Sequence, residues 1–191
     1  MKSRAGIIIL FVIFSLFSCK KGKSKSFLRP GQVARYLVVG DSISAAVQGV
    51  LLKNVSQAIQ QGGTDNAVEF CHLRAMPLTD SLSAVYNVTI QRLTDKNRNP
   101  QNAIRTSEDR QAWERIKNEN TDFIERNQNG IVQYYKPIIM GMPTCIQCHG
   151  TRSDILESTR NILHIKYPED RATGYALGDL RGMWKIEFDQ K

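Results

Sequence analysis

The sequence predicts an α+β fold, because stretches with helical periodicity and stretches with extended alternation follow one another without a regular βαβ repeat. Hydrophobic residues make up 41% and charged residues 23% of the 191 residues, and this ordinary globular composition excludes wholesale disorder, collagen and a long coiled coil. The single long apolar run lies at the very N-terminus, which excludes a polytopic membrane protein. The length allows one domain, or one domain with a tail.

The first half of the folded part is predicted to be mainly helical. Apolar residues recur every three or four positions over residues 35–61, and the Gly-Gly pair at residues 62–63 should end this helix. A short helix over residues 65–75 follows and carries Cys71. We expect Pro77 to end that helix, because proline removes a backbone donor and clashes with the preceding turn.

The second half is predicted to mix strands with one further helix. An alternating pattern predicts a strand over residues 85–92, followed by a polar loop. A polar helix is expected over residues 107–126 and ends in a turn. Two more strands are predicted over residues 131–140 and 182–188, and Pro137 indicates an edge position or a bulge in the first of them.

The formal net charge of +8 belongs almost entirely to the start of the chain. All 18 acidic residues lie after residue 30, whereas seven of the 26 basic residues precede it. The folded part therefore carries 19 basic and 18 acidic residues and is almost neutral. A nucleic-acid interface needs Lys and Arg clustered within the fold, so we expect no nucleic-acid partner.

An N-terminal leader precedes the folded part. Lys2 and Arg4 form a basic n-region before an apolar stretch over residues 7–17, as in a secretory signal. This stretch is too short to span a bilayer, which takes about 20 residues. It ends in L-F-S-C, which resembles the lipobox of bacterial lipoproteins, a family in which the cysteine is acylated and becomes the first mature residue. This resemblance implies lipidation of Cys19; the alternative is an ordinary cleaved signal with an incidental cysteine.

The leader defines the expected organisation of the chain. Residues 1–18 would be a lipoprotein signal peptide, residues 19–31 a lipid-anchored basic tether, and residues 32–191 one folded domain. The protein is then expected on the periplasmic side of a bacterial membrane, and nothing in the sequence favours the inner over the outer membrane. The lysines of the tether are expected to be solvated, although they could also contact an anionic membrane surface.

Residues 145–149 read C-I-Q-C-H, which is the attachment sequence of c-type haem. Two cysteines three positions apart on a helical turn can form thioethers with the two vinyl groups of one porphyrin. The next residue, His149, then lies under the iron as its proximal ligand. Export agrees with this interpretation, because a covalent bond retains haem where free haem would be lost. We therefore predict one covalent haem c held by Cys145, Cys148 and His149.

Other chemistries also use a C-x-x-C sequence. A thioredoxin-type dithiol would use Cys145 and Cys148 as a redox pair, but that fold needs a βαβ frame that the sequence does not suggest. A zinc site would need further ligands at regular spacing, and no second C-x-x-C or H-x₃₋₅-H is present. A plain disulfide between the two cysteines is a further alternative.

Four segments together resemble a family of bacterial c-type haem domains with a PAS-like fold. They are A-V-E-F-C at residues 67–71, R-N-P-Q-N at 98–102, the haem motif with its following glycine at 145–150, and Y-P-E-D-R-A-T-G-Y-A-L-G-D-L-R-G at 167–182. The resemblance covers about residues 32–191. It implies an antiparallel PAS-like sheet flanked by helices, one covalent haem and a sensor or redox role, because members occur alone or in front of signalling modules such as histidine kinases.

The resemblance also bears on the second axial position of the iron. The candidates in the sequence are Cys71, His72, Met76, Met140, Met142 and His164. We predict Cys71, because the family has a cysteine at this position and a thiolate can ligate ferric haem and lower its potential. The alternative is a buried structural thiol. Met140 and Met142 are expected to lie too close to the motif in sequence to reach the opposite face of the haem.

The charged residues of the last segment are expected to pair with one another and to cap turns. A sharper alternative is that Arg171 or Arg181 faces a haem propionate.

The sequence thus predicts an exported, membrane-anchored, single-haem c-type cytochrome-like protein that acts in redox or haem-based sensing or in electron transfer. Its partner would be an unidentified redox or signalling protein. No Ser/His/Asp set and no phosphate loop is present, so an electron carrier or sensor is favoured over an enzyme. The alternatives are a periplasmic thiol-disulfide protein that uses Cys145 and Cys148, and a PAS-like binding module in which the haem is structural.

Overall fold

The computed structural model describes residues 28–188. The predicted signal peptide, Cys19 and most of the predicted tether lie outside the described residues. The elements are α1 (Pro30–Tyr86), β1 (Val88–Leu93), a short 3₁₀ helix (Pro100–Asn102), α2 (Ser107–Glu119), β2 (Phe123–Arg126), β3 (Val132–Ile139), α3 (Pro143–His149), α4 (Glu157–Lys166) and β4 (Leu180–Phe188).

The four strands form one antiparallel sheet in the order β1-β4-β3-β2. Helices cover the sheet, and α1 is much longer than any other described element. The predicted α+β class is therefore confirmed, as are the antiparallel sheet and the long N-terminal helix.

Adjacent residues of the central strands pack on opposite faces of the sheet, because side chains alternate along a strand. Tyr134 of β3 and Trp184 of β4 belong to the core that α1 covers, together with Ile43, Val47 and Leu51 of that helix. The neighbouring residues Tyr135 and Met183 belong to the core on the other face, where α2 contributes Ala112, Trp113 and Ile116.

The helix α1 is broken at the Gly-Gly pair and then continues much further than predicted. Gly62 has φ −163° and ψ 27°, and Gly63 has φ +72° and ψ −169°, so the predicted end of the first helical segment is confirmed. The prediction that Pro77 ends the second segment is wrong, since that segment runs to Tyr86. Leu78 and Leu82 pack against the core beneath α1, and this burial offsets the cost of a proline inside a helix, about 3 kcal/mol.

The strand predicted from residue 85 begins at Val88. Asn87 ends α1 in the left-handed conformation, with φ 52° and ψ 50°, so the two residues before it remain helical. The alternating pattern already begins at residue 85, before the strand, but only the segment from Val88 onwards pairs with β4.

The helix α2 ends at Glu119, well before the predicted residue 126. Asn120 takes the left-handed conformation, and Phe123–Arg126 forms β2, which pairs with β3. The ring of Phe123 stacks on Tyr135 with a centroid distance of 5.1 Å. Phe123 was predicted on the apolar face of a longer helix. It lies instead in the core beneath α2.

Pro137 lies in the interior strand β3, but at this position β3 is paired with a neighbouring strand on one side only. The strand β2 pairs with β3 only as far as Tyr135, so at Pro137 the single paired neighbour is Met183 of β4. The register shifts between Ile138 and Ile139. The edge-like position that a proline requires is therefore present, and the irregularity follows one residue later.

Gly40 lets α1 approach the sheet closely. It is buried, and a Cβ atom built at this position would lie 2.4 Å from Cγ of Tyr134. Tyr134 is fully buried and cannot move away without disturbing the core. Gly49, nine residues further along α1 and on the opposite side of the helix, is exposed and has no atom within 4 Å of such a Cβ.

We expect Gly40→Ala to lower the free energy of unfolding by about 1–3 kcal/mol, because the added methyl group overpacks the contact with Tyr134. Gly49→Ala is the matched control and should raise it by about 0.5–1 kcal/mol, the helix-propensity difference between the two residues. Urea unfolding of both variants measures this. Equal effects of the two substitutions would contradict the close approach.

Candidate functional site

The C-x-x-C-H sequence forms a short helix directly after β3. The helix α3 has Pro143 at its first position, where a missing backbone N–H costs nothing, and is capped by Gly150 after its last residue, His149. A Cβ at Gly150 would lie 2.4 Å from Cγ2 of Ile146 and 2.6 Å from its carbonyl oxygen, so only glycine fits this end. The predicted helical turn that carries both cysteines and His149 is therefore present.

His149 is held by the segment that follows α4. Its Nδ1 lies 2.7 Å from the carbonyl oxygen of Ala172, and its own carbonyl accepts from the backbone N–H of Tyr175 at 3.0 Å. The backbone N–H of Gly174 donates to the carbonyl of Gly150 at 2.7 Å. Because a carbonyl can only accept, Nδ1 carries the proton and Nε2 keeps its lone pair. A metal-ligating histidine has the same arrangement.

The His149 imidazole is neutral. Burial, with the positive charges of Arg98 and Arg181, holds the pKa of His149 well below its usual value. A neutral ring with an oriented lone pair can ligate a metal without first losing a proton.

Arg98 ties three separate segments of the site together. Its Nε lies 3.0 Å from Oδ2 of Asp170, and its Nη2 donates to the carbonyl of Cys148 at 2.6 Å. The other carboxylate oxygen of Asp170 accepts from the backbone N–H of Ala172 at 2.8 Å. The same guanidinium thus supports the haem motif and, through Asp170, the carbonyl that orients His149. Arg98 belongs to the family-like R-N-P-Q-N segment, but the sequence pattern predicted no role for it.

A cavity of about 280 Å³ lies between α1 and the end of the sheet formed by β1, β3 and β4. Cys145, Cys148, His149 and Cys71 all line it. Both halves of α1 contribute walls, since the break at Gly62 and Gly63 separates Leu51 and Val55 from Val68 and Cys71. Other apolar residues that line the cavity include Leu52, Ile59, Ala67, Leu93, Ile138, Ile139 and Trp184.

The three cysteines at the cavity are free thiols. Burial raises the pKa of Cys148 to about 11, although the nearby Arg98 opposes this. Burial also raises the pKa of Cys71, with Arg92 and Arg98 opposing. Both thiols are therefore protonated at neutral pH, unlike the nucleophilic cysteine of a dithiol oxidoreductase, whose pKa is lowered.

The structure divides the candidates for the second axial position. Three of them line the cavity with His149: Cys71, Met140 and Met142. Met140 is also buried against Ala172 and Tyr175. The two methionines therefore border the same cavity as His149. They were expected to lie too close to the motif in sequence to reach the opposite face of the haem.

The other three candidates do not line this cavity. His72 is exposed, and its ring contacts the edge of Tyr167 at a centroid distance of 5.2 Å. Met76 borders a second cavity between α1 and β1. His164 is exposed on α4.

The charged residues of the last sequence segment do not pair with one another as expected. Asp170 pairs with Arg98, and Asp179 accepts from the backbone N–H of Ala176 at 2.7 Å, which caps a turn. Arg171 is exposed. Arg181 lines the cavity and has no acidic partner within residues 28–188.

Sequence reasoning did not find Arg92, which also lines the cavity from the end of β1. A single arginine in an alternating strand carries no sequence pattern that distinguishes it from a solvated residue. No group of three His, Cys, Asp or Glu side chains within residues 28–188 is arranged to hold a metal ion by itself, which gives the zinc alternative no support.

The domain as a whole is similar to known proteins. The family model described as Tll0287-like matches residues 31–188. The crystal structure of the cyanobacterial haem protein Tll0287 is similar to this chain with a TM-score of 0.52 and 26% identity, over 73% of this chain and 95% of the other. No curated protein matches the chain. The chain belongs to the Tll0287-like family.

Proposed function

We propose that this member of the Tll0287-like family is an exported, membrane-anchored protein that carries one covalent haem c and acts in electron transfer or redox sensing. The observation that carries the proposal is the neutral His149 imidazole, oriented by the Ala172 carbonyl in an apolar cavity that both motif cysteines also line. Similarity to a structure described as a haem protein supports haem binding.

The residues at the cavity fit a haem. Cys145 and Cys148 supply the two thiols that c-type attachment needs, and Nε2 of His149 supplies the proximal ligand. Apolar side chains on both halves of α1 line the cavity and would pack against a macrocycle and exclude water from it. Arg98 fixes the backbone of the motif, so that the thiols and the imidazole keep their relative positions.

Cys71 is the protein ligand proposed for the opposite axial position. It lines the cavity from α1, whereas His149 lines it from α3. Burial raises the pKa of this thiol, with Arg92 and Arg98 opposing, so its thiolate would form only on binding to the positively charged iron. A haem held by both His149 and Cys71 would supply one-electron redox chemistry and would have no open position for a substrate. This favours a carrier or a redox sensor over an enzyme.

The thiol-disulfide alternative has less support. The free thiols of Cys145 and Cys148 would permit it. However, the raised pKa of Cys148 disfavours the thiolate that such chemistry requires, and the antiparallel sheet lacks a βαβ frame.

The membrane anchor is proposed from the sequence alone, at Cys19 after its apolar stretch. Acylation with two or more chains gives stable anchoring, and the lysine-rich residues that follow would separate the domain from the surface. The periplasmic side of the membrane agrees with covalent haem attachment, which takes place outside the cytoplasm.

The covalent attachment is tested by expression together with a cytochrome c maturation system. The protein should gain the mass of one haem and keep its colour after denaturation and acid–acetone extraction. Cys145→Ala with Cys148→Ala should abolish both, while Cys71→Ala is the control that keeps the covalent bond. A colourless chain with a reversible disulfide between Cys145 and Cys148 would favour the thiol-disulfide alternative.

The axial role of Cys71 is tested by Cys71→Ser in the matured protein. Loss of a thiolate ligand should convert the ferric spectrum from low spin to high spin or to a water-bound form, and should raise the reduction potential. Met140→Leu and Met142→Leu are controls of similar volume at the same cavity and should change little. An unchanged spectrum and potential in Cys71→Ser would mean that Cys71 only fills space, and one of the two methionines would then be tested next.

The anchor is tested by detergent partitioning of the full chain. The wild-type protein should enter the detergent phase, and Cys19→Ser should either release it to the aqueous phase or stall its processing. Lys20→Ser is a control that leaves the acylated residue in place. A water-soluble product with an unmodified mature N-terminus would contradict lipidation.

A further inference from the structure

Three arginines form one wall of the cavity. Arg92 is the last residue but one of β1, Arg98 lies in the loop after that strand, and Arg181 is the second residue of β4; no Asp or Glu of residues 28–188 lines the same space. The guanidinium groups are close enough to affect one another. Burial lowers the pKa of Arg181, Tyr175 opposes this, and the charges of Arg98 and Arg92 add to the lowering. Their charges also act on His149.

Arg98 is already neutralised by the protein. Its side chain is only 11% exposed, and it forms an ion pair with Asp170 and a hydrogen bond with the Cys148 carbonyl. It is a positioning residue for the haem motif and has little capacity left for a ligand.

Arg92 and Arg181 have no such partner. Within residues 28–188 neither forms an ion pair, and Nε of Arg92 is buried without any hydrogen-bond partner. The Arg92 guanidinium lies 5.9 Å from the ring centroid of Trp184. Arg181 makes a 3.3 Å hydrogen bond to the carbonyl of Lys96 and lies over the ring of Tyr175. Aromatic faces and one carbonyl do not compensate a buried cation as a carboxylate does.

We propose that Arg92 and Arg181 bind the two propionate carboxylates of the haem. This inference rests on the proposed haem function. The numbers of charges agree, since two guanidinium groups lack an anion and a haem has two carboxylates. The planar fork of arginine suits a carboxylate, which it can bind through two parallel hydrogen bonds. The propionates would thus lie near the C-terminal end of β1 and the N-terminal end of β4, on the side of the cavity that the sheet forms.

The chemistry recognised is a carboxylate, which a free dicarboxylic acid would also present. The experiment therefore compares haemin with haemin dimethyl ester, in which both propionates are uncharged. The full mature chain with Cys145→Ala and Cys148→Ala is used, so that both porphyrins bind reversibly and their dissociation constants can be measured by absorption titration.

We expect this protein to bind haemin at least about tenfold more tightly than the diester, because hydrogen bonds to charged groups contribute more than neutral ones. Adding Arg92→Gln and Arg181→Gln should bring the ratio of the two dissociation constants close to one by weakening haemin alone. Arg126→Gln is the matched control, since Nε of Arg126 is also buried without a partner but the residue does not line the cavity. Arg98→Gln should weaken both porphyrins alike.

A second measurement uses the holoprotein with covalent haem. Removal of a positive charge beside the propionates should stabilise the ferric state, so Arg92→Gln and Arg181→Gln should each lower the reduction potential. Arg92→Lys, which keeps the charge, should restore part of the shift, and Arg126→Gln should leave the potential unchanged.

Equal binding of haemin and its diester before any arginine is changed would overturn the assignment, and this comparison does not depend on the folding of an arginine variant. If the ratio of the two dissociation constants is unchanged when Arg92→Gln and Arg181→Gln are added, the assignment is overturned as well, while the haem function would stand. If neither porphyrin binds and maturation adds no haem, the proposed function fails and this inference fails with it. If the ratio is close to one and a dicarboxylic acid such as succinate binds instead, a free acid is the ligand of these arginines.

Discussion

The site depends on one buried guanidinium. Arg98 lies in a loop after β1, Cys148 on α3 and Asp170 after α4, and the hydrogen bonds of Arg98 to Asp170 and to the Cys148 carbonyl hold these three segments together. Asp170 in turn supports the backbone beside Ala172, whose carbonyl orients His149. Loss of this one group would release both the backbone that carries the cysteines and the acceptor that fixes the imidazole tautomer.

The sheet supports this arrangement because its two faces are covered differently. The face beneath α2 is closed by a packed apolar core, whereas the face beneath α1 opens into the cavity toward the end of the strands. The break at Gly62 and Gly63 lets a single long helix supply both the core that holds the sheet and the wall that carries Cys71. The cavity thus has thiols and an imidazole on helices, and cationic groups on the strands and the loop beside them.

The sequence was most informative where chemistry is local. The C-x-x-C-H turn needs only one helical turn and a glycine after it, so its spacing predicted α3 correctly. The Gly-Gly pair predicted a break in α1, and the residue patterns over 131–140 and 182–188 predicted β3 and β4, because these signals lie within a few residues of the feature they determine. The four family-like segments also predicted the α+β class and the haem-binding family.

Contacts between distant residues decided the rest. Pro77 stays inside α1 because the leucines beyond it are partly buried against the core, and Phe123 begins β2 because Tyr135 lies opposite it. The composition of a segment cannot reveal either partner. The expected pairing of Arg181 with nearby acidic residues was wrong for the same reason, since Asp170 pairs with Arg98, 72 residues away, and leaves Arg181 facing the cavity. The sequence by itself determined the ligand-bearing turn; the tertiary structure decided which charges surround it, because ion pairs form between neighbours in space.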